Sequence, residues 1–289
     1  MTPEQLLNKV RKIQIETHTL AHDLLAGSWH SAFKGQGLEF EEVREFQNGD
    51  DIRSVDWNVT ARMGRPYIKR FREERELTVM LVVDCSFSTL FGSQNLSKKE
   101  FAAEVGAALA FTAIENHDKV GLVLFSDEVQ LYLPPRKGSR HVLRVIRDLL
   151  TWEPKGKGTD YDKAISFLGG TLPKSAIVFF LSDFLTPLPE KKFAVLSKKH
   201  DLIMILTQDR MEKEFSNIGI AHMENLETGE TQWIDTRAAA KKYAEERKKA
   251  QAALEKLCGR IGADLISLEC GKPYLHPLQK FFKTRERVS

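Results

Sequence analysis

The chain has 289 residues, 42% of them hydrophobic and 29% charged, and a formal net charge of +3 from 43 basic and 40 acidic side chains. That length can bury a substantial core, and the near balance of charge gives no case for nucleic acid or an anionic membrane as the main partner. Three cysteines, Cys85, Cys258 and Cys270, lie far apart and are odd in number, which argues against a disulfide framework or a zinc ribbon and fits a reducing cytoplasm.

Residues 4–25 place Leu6, Leu7, Val10, Ile13, Leu20, Leu24 and Leu25 mostly at helical spacing, with Gly27 as a stop. The terminus is too charged for a signal peptide, and the longest apolar runs fall short of the ~20 residues that span a bilayer, so a cytoplasmic chain with no span is expected. From Gly27 to about Arg75, glycines, acids and arginines interleave with isolated aromatics, which predicts irregular segments and small strands packed on the rest.

From Leu77 the pattern turns regular. "LTVMLVVD" is a continuous apolar strand, as in a parallel sheet covered on both faces. "SKKEFAAEVGAALAFTAIENH" reads as a helix with Ser97 as N-cap and Glu100 completing a capping box. "KVGLVLFSD" and "VQLYLPP" read as two strands joined at Ser126-Asp127-Glu128, and "SRHVLRVIRDLLTW" as an amphipathic helix. "GKGTDYDKAISFLGG" opens a helix after its glycines; "SAIVFFLSD" and "DLIMILTQD" are buried strands on either side of the helix "KKFAVLSKK". A hairpin turning at Thr228-Gly229 follows, then a long helix ending at Gly262, the strand "ADLISLE" and the helix "LHPLQKFFKTR". Strands alternating with helices give an α/β fold with a doubly wound, mostly parallel sheet, formed by residues 77–289 behind an N-terminal segment of residues 1–76.

In such sheets ligands bind beyond the carboxyl ends of the strands, where the strand order reverses. Asp84 and Asp183 both stand at strand ends. Alternation along an extended loop turns Asp84, Ser86 and Ser88 to one side, and Thr159 and Asp183 come from neighbouring loops over the same end of the sheet. Five oxygen-bearing groups from three segments suit a hard divalent cation, Mg²⁺ above all, with Mn²⁺ or Ca²⁺ as substitutes.

This arrangement resembles the metal-ion-dependent adhesion site of von Willebrand factor type A domains, and the run from Leu77 to about Arg285 resembles the whole domain. The resemblance implies that the two serines, and often the threonine, bind the ion directly, that the aspartates act largely through water, and that a partner's carboxylate fills an open position. The preceding "GQGLEFEEVREFQNGDDIRSVDWNVTARMGRPYIKRFREERE" is similar to the signature of the DUF58 family, as are the late "NLETGETQWIDT" hairpin and the "PYLHPLQKFFKTR" ending. Many members carry two N-terminal transmembrane helices, which this sequence does not show. Members are commonly encoded beside a MoxR-type AAA+ ATPase, and the resemblance implies an adaptor for such a machine.

Other motifs carry less. The Asp50-Asp51, Arg53 and Asp56-Trp57 cluster reads as a salt-bridge and turn network. His18 and His22 have a helical zinc spacing, but Thr19 stands where the glutamate of that motif belongs. No phosphate-binding glycine loop occurs, so an ATPase has to be a separate partner. The competing function is a metal-assisted hydrolase or phosphotransferase using the same ion. No histidine lies in the three loops to act as a general base, and Cys85 reads as a packing residue, so the chain is expected not to be an enzyme.

Overall fold

The computed structural model describes residues 3–20, 29, 33, 39–47, 50–51, 55–72, 76–93, 96–155, 158–172, 175–213, 219–224 and 230–288. In chain order the elements are α1 (Pro3–Leu20), β1 (Glu39–Glu45), α2 (Trp57–Met63), β2 (Tyr67–Arg72), β3 (Thr78–Asp84), α3 (Lys98–Glu115), β4 (Lys119–Phe125) and β5 (Val129–Arg136). There follow α4 (Ser139–Thr151), α5 (Tyr161–Thr171), β6 (Ile177–Ser182), α6 (Glu190–Lys199), β7 (Asp201–Gln208) and the short α7 (Arg210–Lys213). The chain closes with β8 (Ile220–Glu224), β9 (Thr231–Asp235), α8 (Thr236–Ile261), β10 (Asp264–Glu269) and α9 (Leu275–Val288). Two compact units result, Met1–Phe33 with Leu77–Ser289, and Lys34–Glu76.

The larger unit is built on a six-stranded sheet in the order β10-β7-β6-β3-β4-β5, parallel except that β5 runs antiparallel to β4. Alternation along the central strands sorts their side chains onto two cores. Val79, Leu81 and Val83 of β3 with Ile177, Phe179 and Leu181 of β6 join Ile13 of α1, the apolar residues of α3 and α4, and Leu278 and Phe282 of α9. Met80 and Val82 with Val178 and Phe180 join Tyr161 and Leu168 of α5, Phe193 of α6 and Leu254 of α8. Both faces are therefore covered, which is why these strands read as unbroken apolar runs. Helix α3 is apolar nearly all round because it lies against the sheet while α1 and α4 pack on it. Between β4 and β5 the approach is close: a Cβ on Gly121 would meet Met80 Cε at 2.6 Å and Leu133 O at 3.0 Å.

One polar tie runs through the first core. Trp29 is fully buried and donates from Nε1 to Asp118 Oδ2 at 2.8 Å, while Leu77 N donates to Asp118 Oδ1 at 2.9 Å. The Trp29 ring stands 5.2 Å from that of Phe282 and stacks at 6.1 Å on Phe179. Asp118→Ala strips two buried donors at once and is expected to cost about 2–4 kcal/mol in urea denaturation; a loss under about 1 kcal/mol contradicts this role.

In the smaller unit β1 and β2 pair antiparallel, with a register shift between Phe40 and Glu42. Helix α2 replaces part of the irregular run expected there. Asp56 caps it by accepting from Asn58 N and Val59 N, and Gly64 ends it with φ 69. Arg44 clasps Asp50 through both terminal nitrogens at 2.9 and 2.7 Å, and Gln47 N donates to the same carboxylate at 2.8 Å. Asp50 and Asp56 thus serve turn and cap, as the charge cluster implied, while Trp57 is 68% exposed. Arg53, His22 and the Thr228-Gly229 turn lie outside the described residues, although β8 and β9 pair antiparallel on either side of that turn.

Candidate functional site

The strand order reverses between β3 and β6: β4 and β5 lie on one side, β7 and β10 on the other. Asp84 ends β3, and Asp183 directly follows β6, so the two carboxylates flank the crevice where such sheets hold ligands. Asp84 is 1% exposed and Asp183 2%.

Each is held by its neighbours. Asp84 Oδ1 accepts from Ser86 N at 2.9 Å, turning the chain out of the strand, and Asp84 Oδ2 accepts from Ser182 Oγ at 2.7 Å. Ser182 Oγ in turn lies 3.0 Å from Tyr161 OH and accepts from Phe184 N at 3.1 Å. Ser86 stands at the start of the short 3₁₀ turn Phe87–Leu90, its backbone O accepting from Thr89 N, and this turn places Ser88 beside it, with the two hydroxyl oxygens 3.0 Å apart. Ser88 Oγ donates to Asp183 Oδ2 at 3.1 Å. Asp183 is aimed by the tight turn after β6: Phe184 takes φ 49, a left-handed conformation rare outside glycine, with its buried ring stacked on Tyr161 at 6.0 Å.

Four of the five residues named from sequence therefore form one hydrogen-bonded chain. Thr159 reaches the same place from the loop between α4 and α5, which is fixed by Asp160 N donating to Ser126 O at 2.8 Å. It lines, with Ser88, Lys98 and Asp183, a cavity of about 590 Å³ whose other lining includes Glu212, Glu224 and Gln232.

The electrostatics favour a cation. Burial, then repulsion from Asp183, push the Asp84 carboxyl up to about 7 against the hydrogen bonds from Ser182 and Ser86, so two carboxylates here are costly without a compensating charge. Among the described residues no group of three or more His, Cys, Asp or Glu is placed to hold a metal, so a cation would rest on paired hydroxyls and two carboxylates. That all-oxygen set fits a hard divalent ion and not a thiolate- or imidazole-seeking one. Cys85 is not a nucleophile here. Burial, then Asp84, push its thiol up to about 12, and Sγ donates to Phe125 O at 3.1 Å.

The model of a family described as "Protein of unknown function DUF58" matches residues 42–253. The chain belongs to the DUF58 family. Its relatives include the uncharacterized protein Mb1516 of Mycobacterium bovis, 26% identical over 98% of this chain and 90% of its own length. Among solved structures, BatB from Bacteroides thetaiotaomicron, a conserved hypothetical protein, covers 74% of this chain and all of its own at 12% identity and a TM-score of 0.47. Proximal thread matrix protein 1 of the mussel byssus, with a zinc-occupied MIDAS motif, covers 46% of this chain and 38% of its own at 18% identity and a TM-score of 0.34. Neither the family description nor these relatives' names carry a catalytic activity. No helix among the described residues of this DUF58 chain is long and apolar enough to cross a membrane.

Two residues that the sequence reading did not name join this cluster. Ser182, the last residue of β6, orients Asp84. Lys98 has a side chain 1% exposed, and its Nζ donates to Asp183 Oδ2 at 2.7 Å. A signal for Lys98 existed: a lysine at the first position of a helix opposes the helix dipole, so it has to be held there by something else.

Proposed function

We propose that this DUF58 chain is a metal-dependent protein-binding module that serves as adaptor to a MoxR-type AAA+ ATPase. In this reading Ser86, Ser88 and Thr159 would hold the ion through their oxygens, with Asp84 and Asp183 behind them. A bound divalent cation supplies positive charge and an open position that takes up a carboxylate oxygen from the partner. The chain's own residues prepare that position. Ser182 and Ser86 N fix the Asp84 carboxylate, the 3₁₀ turn presents Ser88, and the turn at Phe184 aims Asp183.

The observation that carries the reading is the hydrogen-bonded chain Asp84, Ser86, Ser88, Asp183 at the switch point of the sheet, opening onto a cavity large enough to admit a partner's side chains. The adaptor role rests on the sequence resemblance, and a separate ATPase is consistent with the lack of a phosphate-binding loop in this chain.

The test has two stages. Titration calorimetry with Mn²⁺ should show one site per chain, weakened about 100-fold or more in Ser86→Ala/Ser88→Ala, which removes two oxygens and no apolar side chain. Purified MoxR-type ATPase should then be retained by the immobilised wild type in Mg²⁺ and released by EDTA. Retention that is equal in EDTA, or equal for the double variant, overturns the reading.

A further inference from the structure

Lys98 is the first residue of α3, immediately after the Ser97 cap, where the positive end of the helix disfavours an ammonium. Its buried Nζ donates to Asp183 Oδ2 at 2.7 Å and to Glu212 Oε1 at 2.5 Å. Burial works against its charge, but the attraction and hydrogen bonds of these two carboxylates outweigh that and hold the amine above the ordinary lysine range. As a device for stability alone this is a poor choice, because buried ion pairs gain little over apolar side chains of similar size. The oxygen Lys98 takes on Asp183 is also the one Ser88 Oγ reaches at 3.1 Å, so the ammonium shares an atom with the proposed ion seat.

Glu212 is fixed independently. Its Oε2 accepts from Asp209 N at 3.0 Å, and the Asp209 carboxylate accepts from Ser93 N at 2.9 Å and Met211 N at 2.8 Å. The ammonium is thus held between a carboxylate of the seat and one anchored outside it, in the short helix α7 that follows β7.

We infer that Lys98 is a tethered counter-cation of the metal seat: its ammonium competes with a divalent ion for Asp183, and Glu212 sets the balance by drawing it off. This rests on the metal-dependent reading and adds what controls loading. Counted by formal charge, Asp84, Asp183 and Glu212 against Lys98 leave two net negative charges, which a divalent ion just cancels. The loaded seat then presents no net negative charge to an approaching carboxylate. Lys98 in this way trades affinity for the ion against acceptance of the partner.

The experiment is a cycle of Lys98→Met, Glu212→Gln and the double variant, each titrated with Mn²⁺ alone by electron paramagnetic resonance, with circular dichroism reporting the fold. Lys98→Met should bind Mn²⁺ about tenfold or more tightly than wild type, and Glu212→Gln about tenfold more weakly. The double variant, with the wild-type charge restored, should return to within about threefold. A merely structural pair would weaken or spare binding in both single variants.

Unchanged or weaker binding by folded Lys98→Met, with wild type binding normally, overturns the inference and leaves the metal reading standing. No binding by any variant overturns both. Binding by Lys98→Met where wild type binds none supports the inference outright, since the ammonium then holds the seat. Should Lys98→Met fail to fold, Glu212→Gln decides, and binding as tight as wild type overturns the proposal.

Discussion

Asparagine at Asp84 is expected to raise the melting temperature of the cation-free chain by several degrees while weakening Mn²⁺ binding about 100-fold. The two effects share one cause. The ionised Asp84 carboxylate is buried beside Asp183, and burial followed by that repulsion push its carboxyl up to about 7. In the unfolded chain the same group ionises near 3.8, so between those values the folded state binds the extra proton and stability falls as pH rises. Asparagine has no such penalty. It can still accept from Ser86 N, and the Ser182 hydroxyl can turn its proton to Tyr161.

The gap between variant and wild type in EDTA should therefore be small near pH 4, widen towards pH 7 and level off above it, as measured by thermal melts across that range. With excess Mn²⁺ the order should reverse, because the wild type gains more from the ion than the variant does. A variant that melts below wild type in EDTA at pH 8 would show that Asp84 is there for stability and not held at its expense.

Phe180→Ala should cost about 3–5 kcal/mol, near the top of the range for a single core truncation. Phe180 is fully buried in β6, with ring centroids 5.2 Å from Phe125, 5.3 Å from Phe193 and 6.0 Å from Tyr161 and Phe184. Close packing on all sides leaves little room for collapse into the void. At this chain length the loss corresponds to roughly 10 °C in melting temperature. Because β6 leads into Asp183 and the ring backs Phe184, the variant should also bind Mn²⁺ more weakly even while folded. A loss below about 2 kcal/mol in denaturant titration would mean that the cluster relaxes around the gap.

The fold was legible where physical chemistry left one choice. A strand such as β3 or β6, covered on both faces, has to be apolar throughout, and "LTVMLVVD" and "AIVFFLSD" cannot be read otherwise. The start of α3 was written in Ser97 and Glu100, and its capping box is present. Helix α2 escaped because its signals, Asp56 before it and Gly64 after it, sat inside a dense charge cluster and only seven residues separate them. The site was legible to the extent that its residues are adjacent in sequence or stand at strand ends. Asp84, Ser86 and Ser88 meet in one loop, and Asp183 meets them because β6 lies next to β3. The contacts of Lys98 span 85 and 114 residues, and no periodicity encodes a distance of that kind. Only its awkward place at the head of α3 hinted at a function.

The aromatic cluster around Trp29 bears on how the chain comes to be made. Trp29 rests on Phe179 from the middle of the sequence and on Phe282 near its end, and Arg285 lies over the ring of Phe33 at 4.9 Å. Phe282 and Arg285 leave the ribosome long after Trp29 and Phe33 have done so. Until then the first residues of the larger unit have no complete pocket to enter, and their apolar surface stays in water. Helix α1 can form early, but the first core closes only once α9 arrives, by contacts between segments far apart in sequence. Such closure is slow, and it makes the chain still waiting for α9, more than the folded one, the form most exposed to aggregation.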